Sequence, residues 1–359
     1  MRIMIAGGGT GGHLFPGIAV AQEMKRRNES HEVLFVGSPR GIEKNAVPKA
    51  GFEVELLPVS GLRRMGLVGT LKSLMSLPVA IFKAFRLVAQ FKPDVAISVG
   101  GYAAGPAVLA ARILGVYVVV MEQNALAGTT NRILGTYAHR IVAALPVRGL
   151  PEDRVMVLGN PVRIEMNAVR NDDYVPHTPL RILVFGGSQG ARAINNTFIE
   201  MLERYPDLRG RIEVLHQTGR LDFETIKTRY AALNHAEYEC TEFIDAMADA
   251  YRWSDLIICR AGATTIAELT VCGRPSILIP FPFAVDDHQT ANALELENLG
   301  AAIHQPQSSM SPEILFGLVE KLLTDRSSVT EMAAAAKNAG RPAAAADICS
   351  LLEKEAGHV

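Results

Sequence analysis

His13 closes a run of glycines, GGGTGGH at 7–13, directly after the apolar stretch at 2–6. A neutral imidazole beside a glycine turn can take a proton from a bound hydroxyl. The positive end of a helix favours the neutral ring. A histidine that only caps or packs also suits this place, and the residue type leaves both roles open. A second constellation follows the apolar stretch 256–259 and reads RAGATTIAE at 260–268. Thr264 and Thr265 fall on a first helical turn, where hydroxyls and backbone N–H groups can hold a diphosphate. Glu268 lies one turn beyond Thr264 on the same face. A carboxylate there can accept from both hydroxyls of a ribose; the alternative is a capped helix with an exposed glutamate. Two more glycine loops occur, SVGGYAAGP at 98–106 and GGSQGAR at 186–192. Tyr102 stands among glycines where a ligand can reach it, and Ser188 can donate to a phosphate. Gln289 and Asn292, three residues apart behind the candidate cap Asp287, offer amides suited to sugar hydroxyls.

The elements that position these residues repeat. RIMIAGG at 2–8 returns as RILVFGG at 181–187, about half a chain length later. Strands are expected at 2–6, 32–36, 54–58, 95–99, 117–121 and 140–143, then at 181–185, 212–217, 238–241, 256–259, 276–279 and 302–304. Several are apolar throughout rather than alternating, which suits parallel strands covered on both faces. Strand–helix repetition on this scale implies a doubly wound α/β fold. The first domain is placed at 1–162 and the second at 163–339, with a polar connector over 167–179. A helical end broken at Gly340-Arg341-Pro342 is expected to send a last helix, about 340–359, back onto the first domain.

At 359 residues one core is too few. The net charge of −1 gives no overall field for nucleic acid. Four cysteines without metal-ligand spacing read as free thiols of a reducing compartment. Neither a signal peptide nor a spanning segment is expected. Gly7, Gly9 and Gly12 formally satisfy G-x-G-x-x-G. The second strand, however, ends in Gly37-Ser38 without the acid that would hold a dinucleotide ribose, which weakens an NAD reading. No G-K-[ST] follows any loop. Residues 62–92 interleave Lys and Arg with Leu, Ile and Phe. That pattern describes either a core helix with a solvated basic face or a surface for anionic lipid. Pro78 is expected to divide it.

Taken in order, GGTGGH, SVGGYAAGP, EQNALAGTTNR, GNPVR, GGSQGAR, CRAGATTIAEL and DDHQTANA resemble the MurG family of bacterial glycosyltransferases, family 28. The resemblance runs from residue 7 to about 292. It implies a GT-B fold, two Rossmann-like domains facing across a cleft, and inverting transfer of GlcNAc from UDP-GlcNAc to the C4 hydroxyl of MurNAc in lipid I, giving lipid II. It implies no cofactor and no metal, and the chain has no D-x-D.

By motif position, the donor would meet Thr10, Gly11, Gly12, Asn124, Arg163, Ser188, Ile244, Ala263, Thr264, Thr265, Glu268 and Gln289. The acceptor would meet Gly101, Tyr102, Asn131 and Asn292. The general base would be His13 or Glu122. The family often carries two adjacent glutamines where this chain has His288-Gln289. Expected partners are UDP-GlcNAc, lipid I, an anionic membrane through about 62–92, and other cell-wall synthesis proteins. The expected place is the cytoplasmic face of the inner membrane, peripherally bound. Two rivals stay open: another GT-B enzyme with a different acceptor, and a non-catalytic UDP-sugar-binding module.

Overall fold

The computed structural model of the chain describes residues 1–59, 67–187 and 189–356, and of residues 67–76 the backbone only. The chain forms two compact units, Met1–Val162 together with the chain from Pro342 onward, and Arg163–Arg341.

The first unit holds strands β1 (Arg2–Ala6), β2 (Glu32–Gly37), β3 (Glu53–Leu56), β4 (Val95–Ser98), β5 (Tyr117–Glu122), β6 (Arg140–Ala143) and β7 (Val155–Val157). All are parallel, in the order β3-β2-β1-β4-β5-β6-β7. Its helices are α1 (Gly11–Arg27), α2 (Glu43–Lys49), α3 (Leu67–Phe91), α4 (Ala104–Ile113) and α5 (Thr129–Gly135). Ile3, Met4, Ile5 and Ala6 are fully buried, as a central strand with helices on both faces requires.

The second unit holds β8 (Leu180–Phe185), β9 (Ile212–Gln217), β10 (Tyr238–Thr241), β11 (Leu256–Cys259), β12 (Ser276–Leu278) and β13 (Ala302–His304), parallel in the order β10-β9-β8-β11-β12-β13. Its helices are α6 (Ile164–Arg170), α7 (Arg192–Arg204), α8 (Phe223–Leu233), α9 (Met247–Trp253), α10 (Ala263–Cys272), α11 (His288–Asn298), α12 (Pro312–Thr324) and α13 (Arg326–Ala339). The last helix, α14 (Ala344–Ala356), belongs to the first unit. Its Ile348, Cys349 and Leu352 are buried there, and Arg27 of α1 donates to Ala346 O at 2.6 Å and Glu353 at 2.7 Å.

The repeated phrase is the pair β1 and β8. In each sheet the strand order reverses beside that strand, between β1 and β4 and between β8 and β11. Ligands of doubly wound sheets bind outside the carboxyl ends of strands at such switch points. The four glycine loops follow these four strands.

Several expectations change. β7 lies outside the expected strands: Val155-Met156-Val157 is apolar, but the strand has only three residues and two of them are exposed. Residues 167–170 of the supposed connector are helical, because Met166 and Val169 are buried on one face of α6. The helix α1 starts at Gly11 and carries Pro16 in its second turn. Pro78 does not split α3. It lies on the exposed side, where the carbonyl it leaves unpaired one turn back can be hydrated.

Candidate active site

In the first unit, the loops after β1 and β4 touch through backbone. Gly8 N donates to Gly100 O at 3.1 Å. A Cβ on Gly101, whose φ is +86°, would stand 2.5 Å from Gly8 O, so this glycine serves the close approach of the two loops. His13 lies in the first turn of α1, behind the N-cap Thr10. Its Nδ1 is 3.0 Å from Gln123 Oε1. Gly11 and Gly12 are half-buried beside it, and Tyr102 is exposed.

Glu43, unmarked by any motif, is buried at the start of α2. Its carboxylate accepts from Gly9 N at 2.9 Å, Ser38 N at 2.7 Å and Ser38 Oγ at 2.9 Å. A loop N–H of the kind that binds phosphate in other glycine loops is therefore held by a carboxylate of the same charge sign. The loop after β1 is thus braced from within, unlike a phosphate cradle. Glu43→Ala is expected to lower unfolding stability by about 2–4 kcal/mol, from three lost bonds to a buried charged group. Urea unfolding measures this, and a loss under about 0.5 kcal/mol would mean the bonds are not made in solution.

The segment after β5 is tied to Glu122. Its Oε1 accepts from Asn124 N at 3.0 Å and Asn124 Nδ2 at 3.1 Å, and its Oε2 accepts from Gly128 N at 3.1 Å and Asn131 Nδ2 at 2.9 Å. Both oxygens are engaged twice and the side chain is buried, so Glu122 organises this turn. Asn131, also buried, accepts from Ser98 Oγ at 2.9 Å through Oδ1 and donates to Met121 O at 2.9 Å. It joins β4, β5 and α5, and its amide is spent on these bonds.

In the second unit, Gly262 is the N-cap of α10, and Ala263, Thr264 and Thr265 form its first turn. The first N–H groups of a helix have no intrahelical partner and sit at the positive end of the dipole. Glu268 is only 6% exposed, not the solvated glutamate of the alternative reading. Arg163 Nη2 donates to its Oε1 at 3.0 Å, and the Tyr251 hydroxyl donates to its Oε2 at 3.3 Å. Burial pushes the Glu268 carboxyl above its usual range, and the Arg163 guanidinium and Tyr251 hydroxyl pull against that. Arg163, at the start of α6, is half exposed.

Gln217, buried at the end of β9, donates to Gly187 O at 2.9 Å and accepts from Ile244 N at 3.3 Å. It links the loop after β8 to the backbone of Ile244. Ser188 lies outside the described residues. Gln289 accepts from Phe281 N at 2.9 Å, which ties α11 to the loop before it. Asn292 is fully buried and donates to Ala261 O at 3.1 Å. It is bonded to the loop after β11, whereas Gln289, three residues earlier, is bonded to the loop before α11. Asp287 has a left-handed backbone and accepts from the Thr290 hydroxyl at 2.7 Å, in place of the expected backbone cap. Among the described residues no three His, Cys, Asp or Glu side chains gather as metal ligands.

Two parallel-sheet Rossmann-like units, each with glycine loops at its switch point, are the halves of the GT-B fold. The Glycosyltransferase family 28 N-terminal domain matches residues 3–143, and the Glycosyltransferase family 28 C-terminal domain matches residues 181–348. The chain belongs to glycosyltransferase family 28. It is 46% identical, over 97% of its length and 92% of the relative's, to the UDP-N-acetylglucosamine–N-acetylmuramyl-(pentapeptide) pyrophosphoryl-undecaprenol N-acetylglucosamine transferase of Myxococcus xanthus. The enzyme of the same name from Geobacter metallireducens is 43% identical over 95% of both chains. The crystal structure of Acinetobacter baumannii MurG superposes with a TM-score of 0.81 at 35% identity, covering 98% of this chain and 99% of that one.

Glu43, Gln217 and Tyr251 lie in none of the quoted motifs, and Gln123 lies in one, EQNALAGTTNR, that assigns it no role. Each bonds at least one group distant in the chain, Gly9, Gly187, Glu268 and His13 respectively, and only the fold shows that pairing.

Proposed function

We propose that the second unit holds the donor at the loops after β8 and β11, and that the first unit supplies the base and the acceptor site at the loops after β1 and β4. The chain is an N-acetylglucosaminyltransferase that moves GlcNAc from UDP-GlcNAc to N-acetylmuramyl-pentapeptide on pyrophosphoryl-undecaprenol. The observation that carries the donor assignment is the buried Glu268 carboxylate one turn below the α10 N-terminus. Ribose hydroxyls take the place of Arg163 on that carboxylate, and the half-exposed Arg163 turns to the diphosphate. The Ile244 backbone reads the base, and Gln289 and Asn124 contact the sugar.

The acceptor C4 oxygen bonds to C1 of GlcNAc as the bond from C1 to the β-phosphate oxygen breaks, with inversion. His13 takes the hydroxyl proton. The charge left on UDP is met by the first turn of α10, by Arg163 and by Ser188. Glu122, with both oxygens committed, is a positioning group in this reading, as are Asn131 and Asn292. Gly101 and Tyr102 border the acceptor. A panel of nucleotide sugars and acceptors tests the assignment: UDP-GlcNAc and a lipid I analogue should be preferred on both sides. Equal turnover of another donor or of a soluble acceptor would favour a different enzyme of the same architecture.

The acceptor's lipid carrier implies a membrane surface. No described helix is long and apolar enough to cross a membrane. In the described part of α3, the buried face consists of Ala80, Ala84 and Val88. Leu77, Val79 and Phe82 are exposed, as are Lys83 and Arg86. Phe85, Leu87 and Phe91 pack partly buried against the same core, whereas Leu77, Val79 and Phe82 turn outward beside cations, as on a peripheral lipid-binding face. Arg63 and Arg64 of the same stretch lie outside the described residues, and the side chains of Leu67, Leu71, Lys72 and Leu74 are likewise not described. Phe82→Glu should weaken binding to anionic vesicles at low salt by tenfold or more, roughly the transfer energy of one phenyl group. Its unfolding midpoint should not move. Unaltered vesicle binding would remove this face from the account.

A further inference from the structure

The bond between His13 and Gln123 fixes more than a distance. Gln123 is buried in the first unit, next to Glu122 at the end of β5. Its Nε2 faces two backbone carbonyls, Val99 O at 3.4 Å and Met121 O at 3.3 Å. Carbonyl oxygens only accept, so the two N–H groups of the amide must point at them. The amide oxygen is then the atom that faces His13 Nδ1, at 3.0 Å. An amide oxygen donates nothing, so Nδ1 must carry a hydrogen. In the neutral ring the lone pair is left on Nε2. The ring is also confined sterically. A Cβ on Gly100, whose φ is +88°, would stand 3.1 Å from Nδ1 and 3.3 Å from Cε1. The ring lies against a backbone with no side chain to displace it.

We infer that Gln123 is a positioning residue for the transfer reaction: it holds His13 as the Nδ1–H tautomer, so that Nε2 is the atom that receives the acceptor's proton. The catalytic half of this statement rests on His13 being the base. The tautomer half does not. A base held in the wrong tautomer presents a hydrogen where a lone pair is needed, and its contribution disappears without any loss of binding. Gln123 suits the task because its own orientation is set by main chain on two sides, independent of pH.

The test joins ring 15N chemical shifts to single-turnover kinetics. The His13 nitrogens are identified by their loss in His13→Ala and read at a pH where the ring is neutral. In the unmodified chain Nδ1 should carry the hydrogen and Nε2 should have the shift of an unprotonated nitrogen. In Gln123→Leu the Nδ1–H population should fall, and the single-turnover rate should drop by about tenfold or more with UDP-GlcNAc affinity unchanged. Gln123→Glu keeps an oxygen acceptor towards Nδ1 and, when protonated, one donor for the main-chain carbonyls, so it should retain the tautomer and more of the rate than Gln123→Leu. This second variant, with a urea midpoint for each protein, separates tautomer loss from unfolding. An Nε2–H ring in the unmodified chain, or an unchanged tautomer in Gln123→Leu, overturns the inference. A tautomer that changes with no effect on rate upholds the role of Gln123 towards the ring and removes His13 as the base. An unchanged tautomer with inactive His13→Ala keeps the base and removes Gln123.

Discussion

His13→Ala is expected to slow the single-turnover transfer step by about 10²- to 10⁴-fold, the range of general base catalysis. Donor affinity should stay within about twofold, because nothing in the donor assignment passes through the imidazole. The expectation follows from placement. His13 lies on the first turn of the helix that opens at a switch point of the first sheet. Its Nδ1 is bonded to Gln123, and Nε2 is the nitrogen proposed to meet the substrate. Glu122, the alternative base, accepts four hydrogen bonds from its own turn. Taking up a proton would disturb that turn. Glu122→Gln should therefore lower stability as well as rate, whereas His13→Ala should affect rate alone. A fall of less than about tenfold in the chemical step of His13→Ala, worth about 1.4 kcal/mol, would exclude the histidine as the base.

Glu268→Ala should raise the donor KM by roughly 10²-fold with a much smaller change in kcat. Two hydrogen bonds from ribose hydroxyls to a charged acceptor, each worth about 1.5–3 kcal/mol, set that scale. A 2′-deoxy donor should bind the unmodified chain less well, and Glu268→Ala should no longer tell the two donors apart. Acid should have a related effect. Burial raises the Glu268 carboxyl in the free protein, and ribose hydroxyls are accepted best by the ionised form. UDP-GlcNAc affinity should thus fall as the pH drops through that raised value, above the ordinary glutamate range. Glu268→Gln should remove that dependence. The same shift acts on folding with the opposite sense: a raised carboxyl contributes stability below its unfolded value, and that stability is lost as pH rises through the folded one. Unchanged donor affinity in Glu268→Ala would remove the ribose assignment.

The sequence showed most where local chemistry and pattern agree. Uniformly apolar runs identified the buried strands of both sheets, and the RIMIAGG and RILVFGG copies identified β1 and β8 as equivalents. The edge strand β7 escaped because its apolar run, Val155-Met156-Val157, is only three residues long, and two of them are exposed rather than buried. At the site, residue type was informative and burial was not. His13 stands in a helix N-terminal turn and Glu268 one turn below another, both behind glycine loops that announced the helices. Asn131 and Asn292 have amides of the right kind, yet both are buried and bonded to main chain, a fact that spacing along one helix does not disclose. Glu43 sits five residues beyond the strand end where a dinucleotide acid was sought, and it turns inward to brace the loop after β1. The two copies of the repeated phrase thus differ in the partners of their loops. One is held by a carboxylate from α2, and the other by the Gln217 amide.

The central claim is that this chain joins the donor sugar to a lipid-carried acceptor, and acceptor-dependent release of UDP tests it most directly. With UDP-GlcNAc and a lipid I analogue, UDP should appear in a one-to-one ratio with the disaccharide product. Release should fall to background when the analogue is omitted. UDP release that is the same with and without the analogue, or tight UDP-GlcNAc binding with no product at all, would contradict the account.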